Sequence, residues 1–163
     1  MGFGNVPQMD LTRLTSATAT TLLIAVVSLS VVSTGSAARA HATRAQSVTD
    51  TAHLQLVSAD GNTLVEMGRA SGTLPGTVEV SLTLGDRTAT SSFTIRSSGG
   101  TISGHGAGTL TPGKHGYDSF GGSVAVVRGT GRFRGASGKG GLYGSIYRVT
   151  DAMSVQVTGK LRY

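Results

Sequence analysis

From Thr51 onward the apolar residues recur with a period near two, the spacing of a strand whose alternate side chains point to opposite faces. Val78, Val80, Leu82 and Leu84 alternate with Glu79, Ser81 and Thr83, and Met153, Val155 and Val157 alternate with Ser154, Gln156 and Thr158. Each run reads as a half-buried strand. The pattern predicts further strands over Ala52 to Val57, Leu64 to Ala70, Thr90 to Arg96, Thr101 to Leu110, Phe120 to Val127 and Gly141 to Val149. Turn signals separate them at Asp60-Gly61-Asn62, Pro75-Gly76, Gly85-Asp86, Gly99-Gly100 and Pro112-Gly113. Helical spacing is nowhere sustained. About eight strands without a long helical insert predict antiparallel neighbours in a barrel or sandwich. Closure into a barrel would also remove exposed sheet edges.

The N-terminal part is patterned differently. Thr20 to Ser33 is an uncharged apolar run of 14 residues, short for a helix that must cross a hydrocarbon core of about 30 Å. Ala38-Arg39-Ala40 and Ala40-His41-Ala42 follow it, both in the A-x-A form of a signal-peptidase site. Residues 1–42 are therefore expected to be a signal peptide, with a short polar linker to about residue 50 and a barrel domain over 51–163. The expected destination is outside the cytoplasm, secreted or in the cell envelope, with no stable membrane span.

Composition narrows the chemistry. The 163 residues include 25 glycines, three prolines, no tryptophan and no cysteine. Disulfides, thiolate metal ligands and a thiol nucleophile are thereby excluded. The formal net charge of +6 is compatible either with a mildly basic soluble protein or with contact to an anionic polymer or surface. Sixteen of the glycines fall between Gly99 and Gly144, which makes this half distinctive. Within it Ile102, Gly104, Gly106, Gly108 and Leu110 share one strand face. A glycine column of this kind suits a tightly coiled wall or a space kept open for a ligand.

The stretch from Tyr117 to Gly138 contains Gly129-Thr130-Gly131-Arg132-Phe133, then Gly135, Ala136 and Gly138. It resembles the central signature of the allene oxide cyclase and dirigent superfamily, and the resemblance extends over about residues 64–163. What it implies is an all-β, eight-stranded antiparallel closed barrel with an apolar cavity, often assembled as a homotrimer, that cyclises or steers reactive small molecules without a cofactor. Allene oxide cyclases use a glutamate, an asparagine and a cysteine on the cavity floor, and the missing cysteine counts against that activity. No catalytic residue is carried over. In the motif itself, Gly129 and Gly131 are expected to take positive φ in a tight hairpin, with Phe133 returning to the core.

Candidate site residues come in two groups. Phe93, Phe120, Tyr143 and Tyr147 are expected either to line a pocket or to pack as core and rim, and Glu79, between Val78 and Val80, is the acid placed to matter if its face is the inner one. Arg128, Arg132, Arg134 and Lys139 cluster around the G-T-G turn, either as a solvated hairpin or as an anion site. A metal site would need three or four converging ligands, and His105, His115 and Asp118 do not supply the spacing. Gly108-Thr-Leu-Thr-Pro-Gly-Lys114 is followed by His115 where a phosphate loop needs Ser or Thr, and no G-x-S-x-G elbow occurs. Neither a cofactor nor nucleic acid is expected. Two functions stay open: a secreted barrel binding a small apolar or amphipathic molecule, whether or not it steers that molecule's cyclisation or coupling, and a non-catalytic extracellular or envelope module that recognises a partner or polyanion through its basic hairpin.

Overall fold

The computed structural model describes residues 45–163, which form eight strands joined in sequence: β1 (Ala45–Asp60), β2 (Thr63–Gly72), β3 (Gly76–Leu84), β4 (Thr88–Ser97), β5 (Gly100–Pro112), β6 (Tyr117–Gly129), β7 (Ser137–Tyr147) and β8 (Ala152–Arg162). Every strand pairs antiparallel with the next, and β8 returns to β1, so the sheet is a closed barrel. The expected signal segment lies outside the described residues. Strand β1 begins at Ala45, ahead of the expected start near residue 51, and its first half pairs with β8 from Ala45 opposite Arg162 to Leu54 opposite Met153. The apolar alternation failed to reveal this start because an aspartate, Asp50, occupies an inward position between Val48 and Ala52.

Alternation decides which side chains fill the interior. Leu54, Leu64, Val78, Val80, Leu82, Ile146 and Met153 form one buried cluster, while the intervening polar residues face outward. Bulges interrupt the pairing at two places, where Val57 in β1 and Val127 in β6 are extra residues without a cross-strand partner. Both valines are exposed. Such bulges bend a strand and sharpen its twist, which helps a sheet curl far enough to close.

The two ends of the barrel differ. At the end that carries the β2–β3, β4–β5 and β6–β7 connections, Val48, Leu74, Ile102, Phe133, Ala136 and Leu161 make a second buried cluster. Phe133 is its centre, with no exposed surface. Its ring meets Tyr163 edge-on at 5.0 Å, Arg132 lies 4.6 Å over its face, and the Tyr163 hydroxyl donates to Gln46 Oε1 at 2.8 Å. This end is stoppered. At the opposite end the inward residues Leu56, Leu84, Ala89, Leu110 and Phe120 remain half-buried.

The β6–β7 connection departs from a tight hairpin. It runs from Thr130 to Ala136 through a single 3-10 turn at Gly131–Phe133, which drives Phe133 inward and leaves Arg132 and Arg134 exposed. Gly131 has φ 60° and Gly135 has φ 78°, whereas Gly129 does not take positive φ. What Gly129 lacks is room, since a Cβ there would press on the Ala136 side chain at 2.8 Å and on the Phe133 carbonyl.

These contacts separate two neighbouring substitutions. Gly131→Val places a β-branched side chain at positive φ and against the backbone of Gly99 and Gly100, with an expected cost of about 1 to 3 kcal/mol. Arg132→Ala removes only an exposed cation–ring contact, with an expected cost of about 0.5 to 1 kcal/mol. Urea melts of the two variants should rank them in that order, and equal midpoints would contradict the role assigned to the turn.

Candidate functional site

The interior between the two ends holds a partly open apolar cavity of about 160 Å³. Two aromatic residues shape it, each lying over a glycine of the adjacent strand. Phe93 on β4 is paired with Gly104 on β5, and Phe120 on β6 with Gly144 on β7. A Cβ on Gly104 would sit 2.7 Å from the Phe93 ring, and one on Gly144 would sit 2.6 Å from the Phe120 ring. The rings therefore lie flat against the wall where glycine leaves room. Further along β5, Gly106 and Gly108 line the cavity themselves. Part of the glycine column accommodates ring packing, which the sequence did not suggest, and part of it borders open space.

Two carboxylates face inward into this apolar interior. Asp50 on β1 lines the cavity and is 7% exposed. Its Oδ1 accepts the Leu74 backbone N–H at 2.8 Å, which ties the β2–β3 connection to the stoppered end. Burial raises the Asp50 pKa above its ordinary value, while the Leu74 and Thr73 amides pull it back down. Glu66 on β2 is more extreme, with no exposed surface and neither carboxylate oxygen hydrogen-bonded. Its cross-strand neighbours are Leu56 and Val80. Burial pushes the Glu66 carboxyl up to about 7, and the nearby Asp151 charge adds to the rise. Asp151 itself faces Arg148 at 3.2 Å in the β7–β8 turn.

The sequence-predicted residues separate. Phe93 and Phe120 border the cavity. Glu79 does not, because Val78 and Val80 take the inward positions and turn it outward, where its Oε2 accepts from Arg96 Nη2 at 3.1 Å. Tyr143 lies on the outer face, half exposed, since Leu142 and Gly144 hold the inward positions of β7. Tyr147 is also outside and packs against Tyr117 with ring centroids 4.7 Å apart, beside a shallow hollow bordered by His53, Met67 and Arg69. The two inward acids are the residues that sequence reasoning missed. Glu66 carried a signal, since it falls in step with Leu64 and Ala70 on the inward period of β2.

Among the described residues, unpaired basic residues gather toward the stoppered end. Arg128, Arg132, Arg134 and Lys139 are all exposed at or near the stoppered end, joined there by Lys160 and Arg162 of β8. Lys139 and Lys160 are direct cross-strand partners, a like-charge pairing that costs stability. None of these six takes part in the ion pairs formed among the described residues, which join Arg96 to Glu79 and Arg148 to Asp118 and Asp151. The turns of the opposite end are mixed, with Asp60, Asp86, Asp118 and Asp151 in or beside them together with Arg87, Lys114 and Arg148. Among the described residues, no group of three or more His, Asp and Glu side chains is placed to hold a metal ion.

Glu66 gives the protein a predictable response to pH. Its carboxyl titrates near 7 in the folded barrel and near 4.5 when unfolded. Below about pH 4.5 both states are protonated and no penalty applies; between about pH 4.5 and 7 the unfolded chain ionises while the folded barrel does not, so stability falls by about 3 kcal/mol in all and levels off above 7. Denaturant titrations at pH 5 and pH 8 should show this loss in the wild type and its reduction in Glu66→Gln. Glu66→Leu should be more stable than wild type at pH 8. A wild-type stability independent of pH across this window would contradict the burial of an unpaired acid.

Comparison with family models, with curated proteins and with solved structures returns no match to this chain.

Proposed function

We propose that the barrel is a binding protein for a small apolar or amphipathic molecule, held in the cavity between Phe93, Phe120 and Leu142 and admitted at the end opposite Phe133. The observation that carries this reading is a preformed apolar cavity of about 160 Å³ inside the barrel. Protein interiors normally close to crystal-like packing, so space of this size with carbon walls is an exception that a ligand would explain. An engineered apolar cavity of about 150 Å³ stays dry and holds benzene, which sets the scale of the guest at about one ring or a short branched chain.

The closed eight-stranded antiparallel barrel and its aromatic-lined interior also support placing the chain with the allene oxide cyclase and dirigent-type barrels, exported by its N-terminal segment. Any chemistry in such a site would consist of steering a reactive guest by confinement, without a cofactor, since holding reacting groups in one geometry can by itself select a product. With Glu79 outside the cavity, the acid expected to act on a guest is removed from that role.

A second reading rests on a separate observation, the gathering of Arg128, Arg132, Arg134, Lys139, Lys160 and Arg162 toward the stoppered end. Lys139 opposite Lys160 is a pairing that folding alone disfavours, and an anionic surface would relieve it. Binding to heparin-like polyanion should then fall steeply between 50 and 200 mM salt, on the order of tenfold or more, by counterion release.

The binding reading is tested by thermal shift with toluene as the guest. At a concentration a hundred times the Kd, a single site should stabilise the wild type by about 2.7 kcal/mol. Ala89→Phe, at the half-buried end of the cavity wall, should abolish the shift, and Glu79→Gln, on the outer face, should leave it unchanged. A shift of the same size in Ala89→Phe would place the guest elsewhere.

A further inference from the structure

Asp50 is the carboxylate that borders the apolar cavity. It is nine-tenths buried and lies toward the stoppered, deep end among Val48, Ala52 and Leu74. Its backbone donor comes from the β2–β3 connection, the Leu74 N–H on Oδ1 at 2.8 Å, while the adjacent Thr73 N–H donates to the Thr49 carbonyl at 3.2 Å. An ionised carboxylate offers about four acceptor positions and no donor. The acceptor capacity left over has no basic side chain to meet it in any ion pair among the described residues.

We infer that Asp50 is the polar recognition point of the cavity, and that the guest is an apolar body bearing one hydrogen-bond donor, a hydroxyl or an ammonium, rather than a carboxylate. This rests on the cavity being a ligand site. The guest enters donor first and leaves its apolar part against Phe93, Leu142 and Phe120. Hydrogen bonds to a charged partner are the stronger kind, and they gain further where water is excluded. A guest with its own carboxylate would bring like charge against Asp50 in a poorly solvated space, which is strongly disfavoured. Fatty acids and other free acids are thus rejected by the same side chain that selects alcohols and amines.

Four probes of one shape make the test: toluene, benzyl alcohol, benzylamine and benzoate, titrated against the full chain at pH 7 by calorimetry. Benzyl alcohol or benzylamine should bind at least about tenfold more tightly than toluene, and benzoate at least tenfold more weakly. The order of the alcohol and the amine identifies the source of the donor. In Asp50→Asn the amide oxygen retains an acceptor for the Leu74 N–H while its nitrogen supplies a donor, so benzylamine should lose its advantage and benzoate should bind. Toluene binding as tightly as both donor-bearing probes, or benzoate matching the alcohol, would overturn the assignment of Asp50 while leaving the cavity as a ligand site. Failure of all four probes to bind would overturn the cavity reading itself. The wild-type comparison stands alone should Asp50→Asn fold poorly.

Discussion

The pairing of β1 with β8, unbroken from Ala45 opposite Arg162 to Leu54 opposite Met153, turns a meander of hairpins into a barrel. Each of the other seven pairings joins neighbours in sequence and closes a short loop, so its entropic cost is small. The β1–β8 seam joins the two ends of the described chain and costs the most chain entropy. In return it removes both open edges, satisfies their backbone donors and acceptors, and encloses a space that a flat sheet would leave exposed. Asp50 lies within that seam, opposite Val157, which places the cavity's inward carboxylate on the strand pair that creates the cavity.

Closure alone leaves a tube, and the ends decide what the tube is for. The 3-10 turn at Gly131–Phe133 supplies one stopper, a ring buried against Ile102, Leu161 and Tyr163. At the other end the apolar residues are only half covered. Between them the wall alternates aromatic and glycine across strands, Phe93 over Gly104 and Phe120 over Gly144, so that large rings take up little of the lumen. The result is a partly open apolar volume with a closed floor and a softer rim. Glu66 shows the cost of placing acids in such a medium, since its carboxyl finds no donor and ionises only near pH 7.

Much of this barrel is legible in the sequence, and the parts that are not have physical causes. Period-two alternation shows the strands because inward and outward faces meet different solvents, and seven of the eight were placed within a few residues. Alternation already sets Glu79 on the face opposite Val78, Val80 and Leu82, and a place in the pocket required that polar face to be the inner one; the structure puts the valines inside and pairs Glu79 with Arg96 outside. Tyr143 and Tyr147 share a face, as their spacing requires, but that face is the outer one, because glycine and leucine occupy the inner one. Asp50 was hidden by its own polarity. An acid at an inward position breaks the pattern by which inward positions are recognised, so alternation obscures the carboxylate that borders the cavity. The basic residues around the G-T-G turn were legible as a group, although their partner Lys160 comes from a strand joined to them only through the barrel's register.

The central claim is that the closed barrel holds a preformed, apolar and accessible cavity. Diffraction from crystals pressurised with xenon tests it most directly, because xenon reports apolar space without needing any polar recognition. The account predicts a xenon atom inside the barrel, in contact with Phe93, Leu142 and Phe120 and away from the sealed cluster around Phe133. An interior without xenon, or one filled by ordered water, would contradict it.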